Sequence, residues 1–180
     1  IFELSDNFNK SLKNSPFENT GLLANGKIIT FKSEPNYKGD FSKLSDVIVK
    51  NEVNQEFYID ENSLNLWKYL KGAKKIKRRT KSGYEYSFSE GSMAFPDSLD
   101  NPSRTIITGE GGKSPSRFKH IIKTIKGYRR LTPVELERLN GFPDNHTKLK
   151  GITNAKRAFF MGNALVCGVV EKIGESLVDN

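Results

Sequence analysis

Arg129-Arg130-Leu131-Thr132-Pro133-Val134-Glu135-Leu136-Glu137-Arg138-Leu139-Asn140-Gly141-Phe142-Pro143-Asp144 is the stretch from which the fold is read. Within it, Thr132-Pro133-Val134-Glu135 spells a capping box. The Thr hydroxyl can accept from the N3 backbone N–H, proline suits N1, where no donor is needed, and the Glu side chain reaches back to the cap. A helix is therefore predicted from Pro133 to about Asn140, with Gly141 in the left-handed position that ends it and Pro143 blocking continuation. This gives Glu135 a structural role. Downstream, Val166, Val169, Val170, Ile173 and Leu177 fall on one stripe of a final helix expected over Ala164 to Leu177. Cys167 lies beside that stripe and has no base near it in sequence, so it reads as a small core-facing thiol rather than a nucleophile.

Working back from this stretch, the middle of the chain is strand-like. Lys77 to Phe88 turns around Lys81-Ser82-Gly83, and Arg104 to Thr108 and Phe118 to Ile125 are β-branched runs separated by a Gly-rich loop. A small, mostly antiparallel β region is expected there. Short helices are predicted at Leu44 to Ile48 and at Ser63 to Leu70, the second with Ser63 as N-cap and Leu64, Trp67 and Leu70 on one face. Trp67 reads as a packing residue. The first third is polar and rich in turn signals at 14–16, 24–27 and 35–39, with Lys27 to Phe31 a short strand after an Asn-Gly turn. It reads as a connector with little core.

The whole chain has 180 residues, 36% of them hydrophobic, and a single cysteine. That suits one ordinary domain or two very small ones. One cysteine cannot form an internal disulfide, and His120 and His146 stand too far apart to suggest a metal site, so a secreted disulfide scaffold and a zinc module are both disfavoured. No run approaches the roughly 18 apolar residues of a membrane helix and no signal segment opens the chain, so a cytoplasmic protein with no membrane partner is expected. A first residue of Ile1 rather than Met suggests a processed product or a piece of something longer.

Charge is unevenly spread. Lys and Arg number 29 against 21 Asp and Glu, a net charge of +8, yet residues 1–66 are mildly acidic. Lys68 to Lys81 carries eight cations with no acid, and Gly111 to Val134 carries seven with none. Like charges this dense repel unless a polyanion neutralises them, which argues for a phosphate backbone as partner. The plain alternative is a solvated basic face. An anionic membrane is a weaker option, since neither block has an apolar stripe to insert.

Two loops are candidates for that partner. Gly109-Glu110-Gly111-Gly112-Lys113-Ser114 contains Gly-Lys-Ser but is no phosphate-binding loop of the P-loop type: Ile107 stands where a glycine is needed and Pro115 follows where a helix must start. It reads instead as a flexible loop between strands whose free backbone N–H groups, with Lys113, Ser114, Ser116 and Arg117, suit contacts to DNA phosphates and guanine edges. Ser87 to Met93 has the same small, polar character. The alternative for each is a plain turn; for the first, the Arg and Lys content favours the functional reading. No constellation of residues activates a nucleophile, and no Gly-rich strand-turn-helix for a dinucleotide is present.

The stretch over Arg129–Asp144 closely resembles the ninth conserved motif of DNA (cytosine-5)-methyltransferases. Phe160-Met161-Gly162-Asn163-Ala164-Leu165-Val166 resembles their tenth motif, in the right order and at the right spacing, and Pro102-Ser103-Arg104-Thr105-Ile106 is similar to the end of the target-recognition region. The resemblance is firm over residues 102 to 177, looser from 44 to 101 and weak before that.

It implies an α+β fold: a small antiparallel β recognition domain, followed by C-terminal helices that pack on a Rossmann-like methyltransferase domain absent from this chain. The implied division is a connector over 1–43, a target-recognition domain over 44–128, and the two motif helices over 129–180. Implied DNA contacts are Lys77, Arg78 and Arg79 on phosphates, then Ser89, Ser92, Arg104, Thr105, Thr108, Gly111, Gly112, Lys113, Ser114, Ser116 and Arg117. Arg129, Thr132, Glu135 and Arg138 are implied to be structural, the two arginines as internal or phosphate-facing cations. Asn163, at a helix start, and Ala164 are implied to contact S-adenosylmethionine; where some members have Ser, Ala164 offers only its backbone.

Family chemistry flips a cytosine out of the duplex, attacks C6 with a thiolate from a Pro-Cys dipeptide and holds N3 with a Glu from a Glu-Asn dipeptide. Neither catalytic site is found on this reading, and Cys167, after Val166 and inside the tenth motif, cannot inherit the thiolate role. The chain is thus expected to be the C-terminal part of such an enzyme, partnered by double-stranded DNA and by the catalytic N-terminal half, on the same chain or a separate one. Alone it is expected to bind DNA without transferring methyl groups. The alternative is a stand-alone DNA-binding regulator. The stripe on the last helix discriminates, since a self-sufficient binder must bury it.

Overall fold

The computed structural model describes residues 2–3 and 17–178 and divides into two compact units, 1–40 and 41–180. The Asn14-Ser15-Pro16 turn signal falls outside the described residues. In the first unit, β1 (Phe2–Glu3), β2 (Thr20–Ala24) and β3 (Lys27–Phe31) form an antiparallel sheet in the order β1-β3-β2. The Asn-Gly turn between β2 and β3 puts Asn25 at φ 49° and Gly26 at φ 75°, the left-handed pair that a two-residue hairpin of this hand requires. The expected strand at 27–31 is present. The expected connector is built as a sheet around it, with Thr30 buried and bonded to Thr20 O and Glu18 N.

The second unit is α+β. Its elements are α1 (Leu44–Val47), α2 (Glu61–Lys71), β4 (Lys74–Arg79), β5 (Glu85–Glu90), β6 (Ile121–Thr124), β7 (Gly127–Arg130), α3 (Pro133–Leu139), α4 (Asn154–Asn163) and α5 (Cys167–Val178). The strands make two separate antiparallel hairpins, β4-β5 and β6-β7. The core gathers Leu44 and Val47 of α1, Ile122, Leu131, Leu136 of α3, and Ala158 and Met161 of α4. Burying each of the Leu, Val, Ile and Met side chains among them contributes about 1.5–3 kcal/mol.

Several expectations need correction. Helix α2 starts at Asp60, whose carboxylate accepts from Ser63 N, so Ser63 is the third helical residue and not the cap. Residues 104–108 form no ladder. The reason is that this segment lies against α4: a Cβ built on Gly162 falls 2.5 Å from Ile107 C, so the missing side chain lets extended backbone rest directly on a helix. The expected last helix is present as α5, but it begins at Cys167 rather than Ala164, because Ala164 sits at ψ 154°, outside the helical region. Helix α4, capped by Thr153, was not foreseen.

Around α3 the sequence reading holds closely. Thr132 Oγ1 accepts from Glu135 N and Glu135 accepts from Thr132 N, completing the capping box. At the other end Gly141 sits at φ 79°, its N–H donating to Arg138 O and that of Phe142 to Glu137 O, which closes a Schellman motif. Cys167 is half-buried: its backbone N–H donates to Asn140 O, and its Cβ lies where a side chain on Gly141 would point.

Candidate functional site

The β4-β5 hairpin carries much of the first basic block and sorts it by register. Successive strand side chains point to opposite faces. Lys75, Lys77 and Arg79 therefore share a face with their partners Ser89, Ser87 and Glu85, while Lys74, Ile76 and Arg78 share the other with Glu90, Phe88 and Tyr86. The three residues expected to act together, Lys77, Arg78 and Arg79, do not: Arg78 stacks its guanidinium 3.6 Å from the Phe88 ring centroid on the face opposite Lys77. Arg79 Nε is tied to Gly83 O in the turn.

The two expected recognition loops are joined by Arg117. Its Nη2 donates to Gly91 O at 2.8 Å, and its Nη1 forms an ion pair with Glu90 Oε2 at 2.5 Å. Lys74 reaches the same Glu90 oxygen at 3.3 Å. Burial acts to raise the Glu90 carboxyl, but Lys74 and Arg117 outweigh it and hold the group below the ordinary carboxylate value. Arg117 is thus a clasp between loops rather than a free reader of bases. Ser89, Ser92, Lys113 and Ser114 are exposed, and Ser116 is half-buried with Oγ accepting from Phe118 N.

The Gly-rich loop is pinned, contrary to the expectation of flexibility. Glu110 points inward and is buried: Oε1 accepts from His120 Nδ1 at 2.8 Å and Oε2 from His120 N at 3.1 Å. Lys119 Nζ donates to Gly112 O and Ser114 O, and Arg130 donates to Gly111 O, Gly112 O and Glu56 O. Gly111 and Gly112 therefore present carbonyls inward to cations, and a Cβ on Gly111 would stand 2.7 Å from Ala155 Cα of α4. Both glycines serve close packing. A lone acid inside a basic run was the signal for this: Glu110 is the only acid between Asp100 and Glu135.

Arg104, expected on DNA, is also turned inward. It grips both carboxylate oxygens of buried Asp97 and donates to Phe118 O and Lys119 O. Asp97 additionally accepts from Ile121 N and lies 3.8 Å from Lys71 Nζ. Burial alone raises the Asp97 carboxyl, yet these partners carry it below its ordinary value, while burial pushes the Lys71 ammonium down. Thr105 and Thr108 are exposed, Thr108 through a segment whose backbone rests on Gly162.

Ser103 Oγ, His120 Nε2 and Glu110 form a relay at 3.1 and 2.8 Å, the distances of a hydrolytic triad. Its chemistry is structural. The imidazole is fully buried, and the hydroxyl donates to Arg104 O, leaving no proton for the imidazole to take.

Arg129, Glu135 and Arg138 all take part in ion pairs within the chain. Arg129 and Glu135 pair in the core, and Arg138 bridges Asp144 and Val47 O. Glu137 was not singled out, yet it is the hub of the loop after α3: it accepts from Asn145 N, Thr147 N, the Thr147 hydroxyl and Arg157.

Asn163 stands at the end of α4, not at a helix start, and its Nδ2 donates back to Phe159 O. Ala164 lines a cleft of about 340 Å³ with Ser103, Thr105, Asn140, Gly162 and Val166. A cleft of that size, at the low end for cofactor sites, can supply one wall of a pocket. Asn163 is exposed beside it and brings an amide oxygen that carries no bond among the described residues.

Glu-Asn dipeptides do occur, at Glu18-Asn19 and Glu61-Asn62, which corrects the sequence reading on that point. Both are accounted for locally. Asn19 exchanges hydrogen bonds with Ser33, and Glu61 opens α2 as a carboxylate near the helix N-terminus. No Pro-Cys dipeptide exists in the sequence. Among the described residues no cluster of metal-ligating side chains occurs, and no helix is long and apolar enough to cross a membrane.

Comparison with known proteins agrees with this architecture. Two solved structures share the fold over 85% of this chain: the Entamoeba histolytica methyltransferase EhMeth, at a TM-score of 0.52 and 20% identity, and the S. pombe Dnmt2 methyltransferase, at 0.54 and 15%. The chain covers 47% and 51% of them, respectively. The Type II methyltransferase M.Sau3AI of Staphylococcus aureus is 43% identical over 177 residues, 98% of this chain but only 40% of that relative's length. The family model for C-5 cytosine-specific DNA methylase matches residues 7–179, and the chain belongs to that family.

Proposed function

We propose that this chain is the recognition and cofactor-pocket-completing part of a DNA (cytosine-5)-methyltransferase, an enzyme that moves a methyl group from S-adenosylmethionine to C5 of a flipped cytosine in a specific duplex sequence. The observation that carries the reading is α5. No residue of that helix is buried, and Val169, Val170, Ile173 and Leu177 are 57%, 46%, 56% and 75% exposed along one stripe. A patch of this kind marks an interaction surface. Its proposed occupant is a Rossmann-like catalytic domain, which brings the Pro-Cys thiolate and the catalytic Glu.

In this assignment residues 44–128 face DNA and 129–180 return the chain to the catalytic domain. The cleft beside Ala164 forms one wall for S-adenosylmethionine, which supplies the transferable methyl. In this assignment Asn163 Oδ1 accepts from its amino group, and the backbone at Ala164 supplies close contact. Ser89, Ser92, Lys113, Ser114 and Ser116 are the proposed groups that touch DNA, with Arg117 holding the two loops in register. Arg104, Gly111 and Gly112 support them from inside.

A stand-alone DNA-binding regulator is the second reading, and the exposed α5 stripe weighs against it. Amide hydrogen exchange separates the two. Mixing the chain with a polypeptide that carries the Pro-Cys and Glu-Asn motifs is expected to slow exchange along α5; unchanged exchange together with sequence-selective DNA binding returns the regulator.

A further inference from the structure

We propose that the β4-β5 ribbon meets the sugar–phosphate backbone of duplex DNA through one face only, the face that carries Lys75, Lys77, Ser87 and Ser89. This rests on the reading of the chain as part of a DNA methyltransferase. It assigns Lys75, which sequence reasoning counted only within a basic block, gives Ser87 a phosphate in place of a loop role, and separates Lys77 from Arg78.

The register is the primary observation. On the face of Lys74, Ile76 and Arg78 each cation already has a partner: Lys74 bonds Leu70 O and Glu90, and Arg78 covers the Phe88 ring. On the opposite face Lys75 and Lys77 are exposed, and their side chains make no hydrogen bond or ion pair among the described residues. Each stands directly across from a serine, Lys75 from Ser89 and Lys77 from Ser87. The face thus repeats an ammonium beside a hydroxyl at the strand period of about 7 Å, two donor types that contact phosphate oxygens. The only acid on it is Glu85, at the far end opposite Arg79.

The setting of the ribbon adds a second argument. Among the described residues its two strands pair with each other and with no other strand, and most of their side chains are exposed. An isolated two-stranded ribbon is marginally stable, and two unpaired ammoniums on one face add repulsion. A polyanion lying along that face removes the repulsion. Phosphates of a duplex fit, since contacts of this kind position a protein without reading sequence.

The test is the salt dependence of binding to a mixed-sequence DNA duplex by the intact protein and two charge-matched variants. Lys75→Gln with Lys77→Gln is expected to reduce the slope of log K against log salt by about 1.8. Lys148→Gln with Lys150→Gln, two exposed cations between α3 and α4, is expected to leave it unchanged. Ser87→Ala with Ser89→Ala is expected to weaken binding at an unchanged slope. An unchanged slope for the Lys75/Lys77 pair, or an equal drop for both lysine pairs, overturns the assignment while leaving the methyltransferase reading intact. Absence of salt-dependent duplex binding by the unsubstituted protein overturns both.

Discussion

Arg129 and Glu135 form a buried, two-pronged ion pair, with Nη1 2.8 Å from Oε2 and Nη2 2.6 Å from Oε1. The same carboxylate caps α3 at Thr132 N and accepts from Val49 N, 86 residues earlier in the chain. One side chain therefore joins the β6-β7 hairpin, the start of α3 and the segment after α1. Removing a single partner of such a pair leaves a buried charge uncompensated. Glu135→Ala is expected to lower stability by about 3–5 kcal/mol and Thr132→Ala by about 1 kcal/mol, both read from urea unfolding. Equal effects of the two would contradict the hub role.

Gly162 lets the extended segment at 107–108 rest on α4, and a built Cβ falls 2.5 Å from backbone there. Backbone cannot swing aside as a flexible side chain can. Gly162→Ala is expected to destabilise by about 1–3 kcal/mol, as a shift in the thermal midpoint. A neutral result would show that the segment is not seated on the helix.

Asp97 and Glu137 both lie below their ordinary values of 3.8 and 4.5, because hydrogen bonds and cations outweigh the burial that raises them. Groups of this sign bind fewer protons folded than unfolded. Their stabilisation is complete above the unfolded values and is lost as pH falls through the lower folded ones. Lys71 and Lys119 are depressed mainly by burial below 10.5, so the unfolded chain binds more protons there and stability rises with pH through that alkaline window. Denaturation midpoints across pH should therefore fall on the acid side and climb on the alkaline side. Asp97→Asn is expected to flatten part of the acid limb.

Arg117 joins the two loops, so its loss should disturb sequence preference rather than bulk attraction. Arg117→Ala is expected to weaken binding to the preferred duplex more than to random duplexes and so to relax a base preference. Lys113→Ala, which removes an exposed cation, is expected to weaken all duplexes alike. Glu90→Gln should resemble Arg117→Ala, because it opens the other side of the clasp. Parallel binding curves on selected and random duplexes decide this, and equal losses for Arg117 and Lys113 would contradict the clasp.

What was legible in the sequence was local. The α3 cap, its Gly141 terminus and the Asn25-Gly26 turn follow from chemistry within a few residues. What was not legible depended on partners distant in the chain. Residues 104–108 have strand propensity, yet no strand edge is offered to them and Gly162 offers a helix face instead. Arg104 reads as a DNA-facing cation until Asp97 is brought beside it, and Glu110 has no role until His120 is brought beside it. The apolar stripe from Val166 to Leu177 marks α5 alone, so α4 went unread and Asn163, which ends α4, reads as the start of the last helix. The basic residues of β4 were visible as a block, but only strand register shows which of them share a face.

The most direct test of the account is transfer of labelled methyl groups from S-adenosylmethionine to mixed-sequence duplex DNA. The assay compares residues 1–180 alone with the same chain mixed with a polypeptide bearing the Pro-Cys and Glu-Asn motifs. Label on cytosine C5 in the mixture and none with the chain alone is the predicted result. Methyl transfer by the chain alone, or none in the mixture despite tight sequence-selective binding, would contradict the account.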